Sequence, residues 1–297
     1  MAVNSRMIPR FKNMRSMLLA CTSLVATLLL SCTDPAQNKP YGWFNGTPFS
    51  SRAYDYFNQG DLTRSLMMYK RALVAADKAD VQQQAGRYLL NIGRVFTELN
   101  MLDSALLSLN GAYFKLMMFG DTASARRSAG FIALIWCSSN ELDSAQSWYD
   151  RGVAGVVKSN DNQAFWLSVS AAIQWKKNHE KSALAYYEKS FELYKGLKQL
   201  HAMAQVRLKQ ASIYYYYGEY DEAQQLLEEA LSTSDYSVVR YDHYKMLLAL
   251  AMVQQCRNNS TAAEITYKRA LHCAPTGITL QSFENAIVCS KELPAIF

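Results

Sequence analysis

The chain is 297 residues long, and its formal charge of +6 comes from 31 Lys and Arg set against 25 Asp and Glu. Arg6, Arg10, Lys12 and Arg15 all precede the first acid, Asp34, so the chain beyond that leader carries only about +2. That excludes the strong basic footprint of a nucleic-acid-binding protein, while the roughly 266 residues left after the leader are enough to bury a long continuous core.

The four leading cations stand before an apolar run from Met17 to Leu30, the pattern of a signal peptide over residues 1–31. Its end, Leu29-Leu30-Ser31-Cys32, resembles the bacterial lipoprotein signal, with an aliphatic residue three places before the cysteine and a small one directly before it. Leu30 is bulkier than that signal usually carries. The resemblance implies cleavage before Cys32 and lipidation of its thiol, with acyl chains contributing about 0.8 kcal/mol per buried methylene. An uncleaved membrane-spanning helix and a plain secretory signal are the competing readings. The run of 14 residues falls short of the roughly 20 that a spanning helix needs. Thr33 is not the aspartate that retains enterobacterial lipoproteins at the inner membrane, which favours the outer membrane of a bacterial cell envelope. Residues 32–49, punctuated by Pro35, Pro40, Gly42, Gly46 and Pro48, read as a tether. Its Tyr41, Trp43 and Phe44 are suited to packing on the unit that follows.

From residue 50 to 275 the chain repeats. Ser65, Ala105, Ala145, Ala183, Ala223 and Ala263 recur at steps of 40, 40, 38, 40 and 40 residues. Each sits in the same local pattern, a large residue four places later and another small one three beyond, as in Ala223, Leu227 and Ala230. That spacing puts all three on one helical stripe. Segments such as Tyr88 to Leu99 and Leu102 to Tyr113 are apolar at three-and-four spacing and free of proline, so helix is favoured over strand. The breaks at Gly60-Asp61, Asn100 to Asp103, Asn140 to Asp143, Gly218 to Asp221 and Asn258 to Ser260 offer Gly or Asn to end one helix and Asp or Ser to cap the next. Six antiparallel helix pairs are the expectation.

These residues resemble the tetratricopeptide repeat family, whose signature runs W-x2-L-G-x2-Y, then A-x3-F, then P. The second unit carries Leu89, Ile92, Gly93, Phe96, Ala105, Leu109 and Ala112 at that spacing, and the last carries Leu247, Leu250, Ala251, Ala263, Tyr267, Ala270 and Pro275. The third substitutes Ala129, Ile132, Ala133 and Trp136; the fourth is degraded, with Gln174 and Ser190 at two signature positions. A unit of 40 residues exceeds the usual 34, which longer helices can absorb. The resemblance implies an all-α, right-handed α-solenoid of about six such helix pairs. Residues 276–297, with Leu280, Phe283, Ala286 and Ile287 at helical spacing, are expected to add a capping helix and tail.

Cys137, Cys256, Cys273 and Cys289 fit no metal motif, and nothing calls for a cofactor. Buried small hydrophobes are the plainer reading of these cysteines, with a bridge from Cys256 or Cys273 to Cys289 as the alternative. His179, His201, His243 and His272 stand apart in sequence, and no HExxH, phosphate loop or nucleophile elbow is present, so no enzyme is expected. The remaining candidate is the concave wall lined by the first helix of each unit. The register places Tyr54, Arg87, Arg94, Arg127, Trp175, Lys176, Tyr215, Tyr216 and Lys245 there, together with Phe57, Leu134, Phe165 and Gln255. Cations interleaved with aromatics suit an extended or acidic peptide; packing between units is the alternative for each aromatic. Ser50 and Tyr54 stand where chaperone-binding arrays place a lysine and asparagine clamp, so that clamp is not expected. The expected function is a membrane-anchored protein- or peptide-binding scaffold, with no nucleic-acid partner and its oligomeric state open. A sensory, peptide-responsive module is the alternative.

Overall fold

A computed structural model describes residues 47–154, 160–233 and 240–275. The leader, Cys32, most of the tether, Cys289 and the expected capping helix lie outside the described residues. Within them lie twelve helices: α1 (Pro48–Asn58), α2 (Leu62–Lys78), α3 (Gln82–Glu98), α4 (Leu102–Met118), α5 (Thr122–Ser138), α6 (Leu142–Val153), α7 (Asn160–Lys176), α8 (Glu180–Gly196), α9 (Leu200–Tyr217), α10 (Tyr220–Thr233), α11 (Arg240–Cys256) and α12 (Ser260–Cys273). They form six pairs, an all-α solenoid. The first helix starts at Pro48, where proline suits the first turn and Thr47 and Ser50 cap each other reciprocally.

Seven of the twelve helices span 17 residues, and most connections are three residues long with one residue in the left-handed region. Gly60, Gly120 and Gly218 hold that conformation at φ of 78°, 82° and 80°. Asp80, Asn100, Asn140, Asn178, Lys198 and Asn258 hold it at 53° to 62°. The next residue's amide reaches back to a carbonyl five places earlier, as from Met101 to Phe96 (2.9 Å) and from Gln199 to Tyr194 (3.0 Å). This closes each helix in a Schellman turn. The same residue then serves as N-cap of the following helix, so one three-residue device both stops and starts. Two 17-residue helices and two such connections account for the 40-residue period. Asp61 caps through its side chain as expected, accepting from Arg64 N (3.0 Å), whereas at the last break Asn259 rather than Ser260 is the cap, accepting from Ala262 N (3.2 Å). Elsewhere the expectation needs correcting: Met101 and Glu141 occupy the cap positions without a side-chain bond, and Asp103 and Asp143 lie in the first turn beyond. There they act on the helix dipole instead.

The small stripe lies where helices meet. Ser65, Ala105, Ala145, Ala183 and Ala223 have no exposed surface, and a Cβ added at Gly93 would stand 2.5 Å from Leu109 Cγ. A larger side chain at either kind of position would force α3 and α4 apart. Consecutive helices pack on one another, and odd-numbered helices also touch their odd neighbours, α3 with α5, α5 with α7 and α9 with α11. The odd helices therefore form the inner layer.

The inner layer closes on itself, because α11 returns to α1. Phe57 packs edge-on against Tyr241 at 6.2 Å and His201 at 6.1 Å between ring centres. Gly60 passes so close to Pro275 that an added Cβ would lie 2.5 Å from its Cγ. Lys245 Nζ on α11 lies 3.1 Å from Glu98 Oε2 on α3, across 147 residues of sequence.

Candidate functional site

Charged side chains gather on the inner layer. Asp242 on α11 accepts from Gln205 Nε2 on α9 at 2.5 Å and pairs with His201 Nδ1. Lys245 Nζ stands 3.5 Å from the same carboxylate and 4.7 Å from the centre of the Tyr241 ring. Burial opposes both charges, yet His201 and Lys245 outweigh it at Asp242 and lower its pKa. Glu98 and Asp242 likewise outweigh burial at Lys245 and raise its pKa.

Two further cations on the inner layer lie over aromatic rings. Arg127 is 6% exposed and lies over the Phe165 ring at 4.5 Å, and Arg94 lies over Phe131 at 4.9 Å. Burial, then the charge of Arg127, lowers the Arg94 pKa to about 9. At Lys209, burial and then the Lys245 and Lys176 ammoniums prevail over Glu98 and lower the pKa to about 8. A lysine so depressed sits in a field of like charge in poor solvent, the condition that an anionic ligand relieves.

The sequence-predicted residues divide into three groups. Arg94, Arg127 and Lys245 belong to this inner wall. Arg87 is nearby in register but is committed to Asp121, 2.6 Å away on the third unit; burial pushes the Asp121 pKa up, but hydrogen bonds from Arg87 and Ser124 together outweigh burial and lower it. Trp175, Lys176 and Tyr216 meet at one corner, with Trp175 and Tyr216 edge to face at 6.3 Å and Lys176 5.3 Å over Trp175. Tyr216 there is 72% exposed.

Four placements correct the expectation. Tyr54 is buried in the core that the first helices share, and burial raises its hydroxyl pKa to about 12. Tyr215 packs between the fifth and sixth units, its hydroxyl 3.4 Å from Cys256 Sγ and its ring against Tyr220, so it joins two pairs together. Phe57 and Phe165 are likewise buried, and Gln255 accepts from Tyr267. His179 is exposed at the start of α8, bonded to Gln174.

Lys209, Glu98, His201, Gln205 and Asp242 escaped the sequence reading. Part of the signal was available: the repeat that spaces the alanines also aligns Arg87, Arg127, Phe165, Gln205 and Lys245. His201 and Lys209 lie one turn to either side of Gln205 on α9. Among the described residues no three His, Cys, Asp or Glu side chains are grouped to hold a metal ion, and Cys137, Cys256 and Cys273 are free thiols.

Six stacked helix pairs with small residues at every crossing define a tetratricopeptide-like α-solenoid. Solved structures with this architecture include NprR in complex with its cognate peptide NprX. That likeness has a TM-score of 0.59 at 15% identity over 93% of this chain and 85% of that one. A signal-transduction ATPase with a tetratricopeptide repeat sensor, from Pyrococcus horikoshii, superposes with a TM-score of 0.58 at 14% identity over 95% of this chain. This chain spans 43% of that protein's length. At such identities the likeness is one of fold. No family model and no curated protein sequence matches the chain.

Proposed function

We propose that this chain is a binding module rather than an enzyme, holding an acidic peptide segment of a partner protein on its inner wall while acylated Cys32 keeps it at the cell envelope. The carrying observation is Lys209, which burial and the neighbouring Lys245 and Lys176 ammoniums depress to about 8, on the inner layer that also carries Arg94 and Arg127. A carboxylate arriving there gains charge-assisted hydrogen bonds and removes the like-charge repulsion. NprR, of similar fold, was crystallised with its peptide, which supports a peptide as the ligand. Thr33 after Cys32 supports the outer membrane.

The test is titration calorimetry of the full chain in detergent with acidic, neutral and basic peptides, repeated in buffers of different ionisation enthalpy. At pH 8.5, above the Lys209 value of about 8, an acidic peptide is expected to bind with net proton uptake, and Lys209→Met to abolish that uptake. Preference for the basic peptide would sink the proposal. The anchor is tested separately by incorporation of labelled palmitate in cells, which Cys32→Ser should eliminate.

The seam between α1 and α11 favours a second reading, a sensory module. An occupant of the wall touches the groups that close the array, so it can shift the seam and pass that change to an output protein. A peptide that binds without altering the α1 to α11 distance would leave the scaffold reading alone.

A further inference from the structure

Ten of the fourteen exposed large apolar side chains among the described residues lie between Phe49 and Phe119, on the first two units. The repeat supplies an internal control for why this matters. The outward stripe of each even helix falls two, six, nine and thirteen places after its small residue. In α4 it reads Leu107, Gly111, Phe114 and Met118; Leu107 is 78%, Phe114 60% and Met118 79% exposed. In α2 it reads Met67, Arg71, Val74 and Lys78. The same register gives Ser147 and Arg151 in α6, Ala185, Lys189 and Glu192 in α8, and Gln225, Glu229 and Ser232 in α10. Only the first two units combine several large apolar residues on this face, although all share the fold.

The two stripes lie on neighbouring helices, since Lys115 of α4 reaches Asp77 of α2 at 3.5 Å. Phe49 closes an apolar groove beside Leu66, Met67 and Val74. Lys70, Arg71 and Lys78 line the same groove, and among the described residues none of them forms an ion pair. Nearby, Asp77 is taken by Lys115 and Asp80 accepts from Gln82, while Asp103 lies at the far start of α4. Lys70 also lies 5.5 Å from the centre of the Phe96 ring, whereas Arg71 and Lys78 stand along the groove; an apolar stripe edged by such cations is the pattern of a surface that enters lipid headgroups, with side chains at the acyl boundary and cationic groups on phosphates. Its position agrees. Phe49 follows Cys32 by 17 residues, a span of at most about 60 Å when extended, so an acyl anchor keeps this face within reach of the bilayer.

We propose that the outer face of the first two helix pairs docks on an anionic lipid bilayer, laying the array against the membrane with its inner wall away from the lipid contact. The inference uses the acyl anchor of the reading above only to bring the face near lipid; it does not depend on peptide binding.

The experiment places a dansyl-bearing amino acid at Phe114 or at Glu229, its counterpart surface in the fifth unit, in the full chain reconstituted into vesicles of three parts phosphatidylethanolamine to one of phosphatidylglycerol. Both positions are exposed, and circular dichroism checks that folding is retained. At position 114 emission should shift to the blue and be quenched by lipids brominated on their acyl chains, with neither effect at 229. Charge reversal of Lys70, Arg71 and Lys78 should reduce the quenching several-fold in these vesicles. A probe at 114 that remains in water while the protein floats with the vesicles would overturn the docking and leave the anchor intact. A blue shift without quenching by brominated lipid would also overturn it, by showing that another protein or a second copy covers the face.

Discussion

At the scale of single residues, Lys209 is the group whose chemistry the fold alters most usefully. Its pKa of about 8 lies below the ordinary lysine value of 10.5, so between those two pH values the unfolded chain binds the proton more tightly than the folded one. Stability therefore rises with pH through that window, and the full cost of charging Lys209 is present below it. Tyr54, raised to about 12, acts in the opposite sense once free tyrosine ionises near pH 10. The unliganded protein is therefore expected to melt at higher temperature at pH 9.5 than at pH 7.5. Lys209→Met should remove most of that rise and stabilise the protein at pH 7 by about 2 kcal/mol. Melting curves across this range decide it, and parallel curves for parent and variant would refute the assignment. None of this was legible in the residue itself, because a lysine on a polar stripe reads as solvated until its neighbours are known.

At the scale of helices and their connections, the sequence was far more readable. The alanine period marked the crossings, and glycine or asparagine marked the end of the first helix of the pair at Gly60, Asn100, Asn140, Gly218 and Asn258. The ends at Asp80 and Lys198 carried weaker signals, since neither residue is a usual left-handed terminator. Both hold positive φ because the Schellman bonds and the packing on either side leave the chain no other turn. Lys198, at φ 55°, is the weaker fit, having no short polar side chain to bond locally. Lys198→Gly is expected to raise stability by about 0.5–1 kcal/mol in urea denaturation, because strain is removed at a position where glycine pays little. A loss of stability would show that the lysine side chain contributes a contact of its own. The side-chain caps foreseen at Asp103 and Asp143 failed for a geometric reason. A three-residue connection makes the residue after the turn the cap, and there it is Met101 or Glu141.

At the scale of the whole molecule, the decisive feature is the seam where α11 meets α1. It brings the first and sixth pairs together, packs Phe57 against Tyr241 and His201, and joins Glu98 to Lys245. Phe57 is 3% exposed and touches both sides, so Phe57→Ala should cost about 3–4 kcal/mol in stability through the cavity it leaves. It should also lengthen or broaden the distance between spin labels at Gln59 and His272, measured in a Cys256→Ser background. An unchanged, narrow distance distribution in the variant would mean that the remaining units hold the ends together without the seam. Seam opening and peptide affinity can then be compared in one variant, which separates a sensor from a scaffold.

The sequence by itself determined the helical repeat, the number of pairs and the small residues at each crossing. These depend on contacts within a unit and between neighbours, which recur at a fixed spacing and so print a period on the chain. Only the tertiary structure decided which inner residues face one another. The meeting of Glu98 with Lys245, of His201 with Asp242 and of Phe57 with Tyr241 depends on the accumulated rotation of several units. That rotation is summed from small packing angles and leaves no local mark at the residues it brings together.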